Sequence, residues 1–241
     1  KGLKGDFIIK FDDEIISVSL KNYKKGFIMV WNIIKKEKLF SPMLATFGGG
    51  SFRGFNPGVS VAAQRGLFSG GNYSNVIQYI DITTEGNATD FGDLHQSMDG
   101  GFNGCCSSST RALFAGGRYA DTWAKRIDKV EIFTEGNAVD FGDLSISRRS
   151  PQAFSNNTRG LISGEHDGTN NSIDYITIAS TGNSTDFGNL SQGRGQGAGV
   201  ASPERGVFAG GKGGGRHNIM DFVVIASTGN ASDFGDLLST N

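Results

Sequence analysis

Residues able to do chemistry are thinly spread along this 241-residue chain. Its three histidines, His95, His166 and His217, fall at unrelated places in a repeating pattern, so repetition cannot gather them into a metal cluster. Asp-x-x-Asp pairs recur as Asp90 with Asp93, Asp140 with Asp143 and Asp233 with Asp236. Each pair is a start on Ca²⁺, a hard ion that wants several oxygens. The remaining copy reads Asp186 with Asn189, and two carboxylates are few, which favours turn capping. Cys105 and Cys106 are adjacent, a geometry that strains a disulfide, so they read as buried or reduced thiols. No Gly-x-Ser-x-Gly elbow, phosphate loop or His-Glu-x-x-His motif occurs. Gly193-Arg-Gly-Gln-Gly-Ala-Gly199 opens no helix and reads as a linker. No catalytic residue, metal or cofactor is expected.

Recognition chemistry has better candidates. Tyr73, Tyr119, Trp123, His166, Asp167, Arg216 and His217, with Asn72 and Asn170, stand in segments that differ between copies of the repeat. Rings that stack on sugars, beside amides and charges, are what a lectin-like surface uses; the alternative is an ordinary polar loop. A second set is aligned instead of variable. Arg65, Arg111, Arg159 and Arg205 recur at intervals of 46, 48 and 46 residues (65 to 111, 111 to 159, 159 to 205). They could ring a channel mouth and bind an anion. The favoured reading is a structural tie to a carboxylate, such as Asp128, Asp174, Asp221 or those of the Asp-Phe-Gly-Asp phrase.

The elements that must position these residues are written four times. A small-residue strand comes first, as in Gly58–Ala63, Phe102–Ser107, Pro151–Ser155 and Gly197–Ser202. Arg-x-apolar-apolar-x-Gly follows, then a variable loop. The third strand is Ile77–Ile82, Ile127–Ile132, Ile173–Ile178 or Met220–Ile225, and in most copies it is apolar on both faces. Such a strand belongs between two neighbouring sheets. A turn of constant length holds Gly86-Asn87, Gly136-Asn137, Gly182-Asn183 or Gly229-Asn230, residues that tolerate positive φ. The last strand is Asp-Phe-Gly-Asp/Asn-Leu, where Phe91, Phe141, Phe187 and Phe234 would fill the space between sheets. A constant frame with variable loops is how a scaffold carries a recognition surface.

Residues 1–54 differ. They are rich in Lys, Ile and Phe, and strands are expected over Phe7–Phe11, Ile15–Leu20 and Phe27–Ile34. The lysines from Lys24 to Lys38 read as a guarded, solvated edge. Phe47-Gly-Gly-Gly50 resembles a worn copy of the repeat's Phe-x-Gly-Gly.

Bulk properties narrow the partners. With a formal net charge of −1 and no clustering of sign through the repeats, nucleic acid and anionic membrane are poor partners. The 37 glycines lack a three-residue period, which excludes collagen. The longest apolar stretch, Phe27 to Ile34, is too short for a membrane span. The chain opens on Lys1, so an upstream segment can be neither claimed nor denied. Asn-x-Ser/Thr sites such as Asn87 and Asn230 sit in the repeated turn.

Four-stranded units of this length, repeated radially, are β-propeller blades. The phrase apolar-Phe-x-Gly-Gly, a variable loop, Ile-Asp-Tyr, a turn and an aromatic on the last strand resembles the kelch repeat over residues 55–237. It departs from kelch in having Phe in place of Trp on the last strand, and in its Gly-Asn-x-x-Asp-Phe-Gly turn. That wording is similar to kelch-like arrays in structural and tail-associated proteins of bacteriophages, marine ones especially. The resemblance implies an all-β propeller of about five blades. Residues 1–54 would form a divergent first blade or an appendage, and blades would follow at 55–98, 99–148, 149–193 and 194–241. Closure would come from strands packing edge to face or from a second chain, which leaves a homo-oligomer open. The implied function is non-enzymatic. It would be a virion or tail-fibre component, extracellular or in the virion, binding host surface glycan or protein, or a neighbouring virion protein. An intracellular kelch-type interaction scaffold is the alternative, and a glycan lyase or sialidase-like hydrolase ranks third.

Overall fold

The computed structural model describes residues 6–11, 14–23, 26–34, 65–71, 73–98, 103–119 and 122–240, with side chains described from residue 65 onward. The chain divides into two compact units, Lys1–Phe40 and Ser41–Asn241. The first contains a three-stranded antiparallel meander: β1 (Asp6–Phe11), β2 (Glu14–Tyr23) and β3 (Gly26–Ile34). All three expected strands are present. The β2–β3 ladder runs unbroken from Ile15 opposite Ile34 to Tyr23 opposite Gly26, because a β-branched and aromatic run on both sides supports long pairing.

The second unit holds four antiparallel sheets of three to five strands, one per repeat, and every described element is a β-strand. The first repeat gives β4 (Arg65–Ser69), β5 (Ser74–Asp81) and β6 (Thr89–Met98). Its expected small-residue strand at Gly58–Ala63 lies outside the described residues, as do Phe47–Gly50 and Asn72. The second repeat gives β7 (Gly104–Ser107), β8 (Arg111–Ala115), a short β9 (Arg118–Tyr119), β10 (Thr122–Glu131) and β11 (Val139–Arg148). The third gives β12 (Gln152–Ser155), β13 (Arg159–Ser163), β14 (Ser172–Thr177) and β15 (Thr185–Asn189). The fourth gives β16 (Ala198–Ala201), β17 (Arg205–Ala209), the two-residue strands β18 (Lys212–Gly213) and β19 (Gly215–Arg216), β20 (Ile219–Val224) and β21 (Ser232–Asp236).

Each sheet is a meander in chain order, such as β12-β13-β14-β15. The last hairpin of every repeat carries the same register shift, at Ile77/Gln78, Ile127/Asp128, Ile173/Asp174 and Met220/Asp221. A bulge at one repeated place bends each sheet alike and re-aims the following side chain.

The core is layered, not central. One apolar cluster joins Leu67, Ile77, Phe91 and Leu94 of the first sheet to Ala112, Phe114, Val130 and Ile132 of the second. The next joins Leu113, Ile127, Phe141 and Leu144 to Ala153, Ile162, Ile176 and Ile178. The third joins Phe154, Leu161, Ile173 and Phe187 to Ala201, Phe208, Val223 and Ile225. The third strand of an inner repeat therefore feeds two layers, Ile127 one way and Val130 with Ile132 the other, which is why it is apolar on both faces.

The sheets are also pinned by a repeated set of hydrogen bonds. Gly136, Gly182 and Gly229 N–H groups donate to the carbonyls of Phe91, Phe141 and Phe187 in the sheet before, at 2.8, 2.8 and 2.7 Å. Asn137, Asn183 and Asn230 accept at Oδ1 from the backbone N–H groups of Asp93, Asp143 and Asn189. The Gly-Asn turn expected to close a hairpin thus also clasps the neighbouring sheet.

Phe234 departs from its three counterparts. Phe91, Phe141 and Phe187 are buried between sheets, whereas Phe234 is 53% exposed, stacked edge-on against Phe222. Its sheet is the last of the series, and among the described residues no following sheet covers it.

Candidate recognition site

Strand two of each repeat runs to its Gly-Gly (Gly164-Glu165 in the third) and strand three returns, so the variable loops leave every sheet at the end opposite the Gly-Asn clasp. Because the clasps orient all four sheets alike, these loops share one edge. Gly116 and Gly117, at φ +67° and +112°, turn the chain out of β8 in a conformation that other residues rarely adopt.

The loops are built differently on that common exit. In the second repeat β9 and the start of β10 form a ribbon, with Tyr119 opposite Thr122 and Trp123 opposite Arg118. The Thr122 hydroxyl donates to the Tyr119 carbonyl at 2.7 Å and holds the ribbon's tip. Tyr119 is exposed and Trp123 half-buried. In the fourth repeat β18 and β19 form a smaller ribbon that pairs Lys212 with Arg216. Arg216 is exposed, while His217 is half-buried with its Nε2 buried and unpartnered. In the third repeat the loop is a tight turn closed by Gly168 N–H on the Glu165 carbonyl. Here His166 Nδ1 meets Asp167 Oδ1 at 2.8 Å. Tyr73 is exposed at φ +61°.

Seven residues were expected to bind, and the structure unites them in part. His166 pairs with Asp167, Tyr119 and Trp123 share one ribbon, and Arg216 and His217 adjoin on another. The third and fourth loops touch, since a methyl group placed on Gly168 would overlap the Gly213 backbone. Asn170 is occupied structurally, its Oδ1 accepting the Ser172 N–H at 2.7 Å.

Arg65, Arg111 and Arg159 tie sheets together through main-chain carbonyls, and Arg65 and Arg111 also pair with carboxylates, those of Glu135 and Glu131, in place of the aspartates expected. Arg111 Nη1 donates to the Ile178 and Ala179 carbonyls, and Arg159 Nη1 to those of Ile225 and Ala226, always in the next repeat. Arg65 reaches the Ile132 carbonyl and Glu135. Arg65, Arg159 and Arg205 also lie over the rings of Tyr79, Tyr175 and Phe222. Main-chain carbonyls are the recurring partners, and Asp128, Asp174 and Asp221 belong to other arginines.

Those three aspartates are buried, and each accepts the backbone N–H of the residue after the repeat's Leu in the sheet before: His95, Ser145 and Ser191. Asp174 is paired with Arg148 at 3.5 Å and Asp221 with Arg194 at 2.8 Å, Arg148 ending the last strand of the sheet before and Arg194 following that strand's counterpart, β15. In the second repeat Asp128 uses Arg126, two residues earlier on its own strand, at 2.7 Å. Met98 occupies the place of Arg148 and Arg194, so the cation is supplied from elsewhere. Sequence reasoning passed over Arg148 and Arg194, although both stand seven residues after the repeat's Phe. The capping expected of the Asp-Phe-Gly-Asp carboxylates is present at Asp233, which accepts the Gly235 N–H. Asp143 instead pairs with Lys125, and Asp140 with Arg126.

Glu165 was likewise passed over. It stands where the other repeats have Gly71, Gly117 and Gly211, and it is nearly buried at the base of the third loop. Burial pushes its carboxyl above the ordinary range; the charge of Asp167 adds to this and Arg148 opposes it. Cys105 and Cys106 are buried thiols outside any disulfide and face different layers, Cys105 the first and Cys106 the second. Among the described residues no group of three or more His, Cys, Asp or Glu side chains is placed to hold a metal ion. No helix among them is long and apolar enough to cross a membrane. Comparison with known proteins matches no family model and no curated relative.

Proposed function

We propose that this chain is a non-enzymatic, kelch-like propeller module of a phage virion or tail-associated appendage. Its variable loops contact a host surface glycan or a neighbouring virion protein. One observation carries the reading: four sheets locked by the same clasp present differently built loops at a common edge. A rigid frame with divergent, partly aromatic tips is suited to recognition, because binding then spends little on ordering the frame. Tyr119 and Trp123 on the second ribbon are the stacking candidates, with His166, Asp167, Arg216 and His217 supplying polar contacts. Blades in series are the geometry of a propeller, and placement in a virion rests on the wording of the repeat.

A glycan array probed with the purified chain, with Ca²⁺ and with chelator, tests the proposal. Selective binding that is lost in Tyr119→Ala and Trp123→Ala is the expected result. A requirement for Ca²⁺ would bring the Asp-x-x-Asp pairs into the site. A blank array, together with failure to co-purify with virus particles, would overturn the reading in favour of an interaction scaffold.

A further inference from the structure

Among the described residues four sheets make three apolar layers, and two faces are left over. On the fourth sheet these are Phe234, Leu237, Val207 and Met220, whose counterparts in earlier repeats are buried or nearly so. On the first sheet the opposite face bears Ile82, 41% exposed, where Ile132, Ile178 and Ile225 are buried, and Ala88, exposed where Ala138 is buried.

We infer that copies of this chain associate head to tail, the outer face of the fourth sheet docking on the first sheet of a second copy. The argument is continuity with an interface the molecule already builds three times. Each junction needs a Phe carbonyl, an Asp or Asn N–H and carbonyl, and an arginine on one side. On the other it needs a Gly-Asn turn and one carbonyl (with Glu135, at the first junction) or two carbonyls (at the next two) for the arginine. The fourth sheet ends with the first set, Phe234, Asp236 and Arg205, all exposed. The first sheet offers the second set, Gly86, Asn87 and the Ile82 and Thr83 carbonyls, also exposed.

Transferred to the new junction, the Gly86 N–H donates to Phe234 O, and the Asp236 N–H donates to Asn87 Oδ1. Arg205 reaches the Ile82 and Thr83 carbonyls. Gln78 stands where Asp128, Asp174 and Asp221 stand in the other repeats, and its amide oxygen can accept from Leu238 N–H. Being neutral, Gln78 needs no buried arginine to offset it. The contact joins unlike faces, so it builds a ring where the rotation closes and a filament where it does not. Phe234 and Ile82 lie on the packing faces toward their clasped end, not on the loop edge, so glycan binding and association fail independently.

The test is sedimentation of the full chain from nanomolar to high micromolar concentration, for the wild type and for Phe234→Asp and Ile82→Asp. Both positions are exposed, so the variants keep the wild-type circular dichroism. The expected result is a mass that rises with concentration in the wild type, with each variant shifting the midpoint upward by at least about tenfold. Mixing the two variants should restore a species of two chains, because Phe234→Asp retains a sound first sheet and Ile82→Asp a sound fourth. A wild type that stays monomeric overturns the inference, whether its face is bare or covered from within the chain. So does a mixture that associates no better than either variant alone, the signature of a like-to-like contact.

Discussion

Arg194 and Asp221 form an ion pair of 2.8 Å in which neither side chain has any solvent exposure, and the pair ties the segment between β15 and β16 to β20. The guanidinium also donates to the Gly210, Gln192 and Phe208 carbonyls, so nearly every donor is used. A buried charge so placed is costly to orphan. Arg194→Met should cost about 3–5 kcal/mol in chemical denaturation, since Asp221 would stay buried without a cation. The second repeat shows the remedy: with Met98 in the arginine's place, Arg126 serves the aspartate from its own strand. Ile219 is the position matching Arg126, so Arg194→Met with Ile219→Arg should recover a substantial part of the loss. A double variant no more stable than Arg194→Met would mean that the two geometries are not interchangeable.

Arg111 and Arg205 occupy the same place in their repeats and have different surroundings. Arg111 pairs with Glu131 at 2.8 Å and donates to two carbonyls of the next sheet. Among the described residues Arg205 has the Phe222 ring and no following sheet. Arg111→Ala should cost about 1.5–3 kcal/mol, the usual range for hydrogen bonds to a charged group. Arg205→Ala should cost clearly less when melting is followed at concentrations too low for association. Equal losses would show that the arginine acts within its own sheet.

Much of this was legible in the sequence, and the reason is periodicity. The arginine spacing and the constant Gly-Asn to Asp-Phe-Gly interval define four repeats, and the two-faced third strand implies layers between sheets. All of these follow from short-range pattern. The identity of partners across a layer did not follow. Asp128, Asp174 and Asp221 align, but the arginine serving them comes from two different strands, and only packing shows which. Phe234 reads like its three counterparts because a sequence repeat carries no mark of which copy stands last. In the loops, Asn170 looked like a ligand group and is consumed by its own turn, because a backbone N–H two residues on competes for an amide oxygen.

Glu165 gives the fold a pH dependence. Its carboxyl is pushed up from the ordinary value of 4.5, first by burial and then by Asp167. In the window above 4.5 the folded chain therefore holds this proton more tightly than the unfolded chain does. Stability contributed at this site falls as pH rises from the unfolded value through the folded one. Glu165→Gln keeps the shape and removes the titration. The stability difference between variant and wild type should move in the variant's favour from pH 4.5 toward neutrality, read as melting temperature against pH. A difference that stays flat across that window would place the carboxylate in effective contact with solvent.

Gly142 and Gly235 isolate the junction itself. Both lie in the Asp-Phe-Gly phrase at positive φ, +146° and +129°, so alanine strains the backbone at either. They differ in what a methyl group meets. At Gly142 it would overlap the Gly182 carbonyl and the Asn183 nitrogen of the next sheet, which are backbone atoms already fixed by the clasp. At Gly235 its nearest neighbour is the flexible end of Met220, at 3.9 Å. Gly142→Ala should therefore be destabilised by the strain and by about 1–3 kcal/mol more for overpacking, and Gly235→Ala by the strain alone. The methyl group at Gly235 should also block head-to-tail association, because at that junction it would meet the Gly86 carbonyl as its counterparts meet theirs. Denaturation of the dilute chain reads the first effect and sedimentation of the concentrated chain reads the second. A Gly235→Ala chain that associates like the wild type would show that the fourth sheet does not use the clasp of the other three.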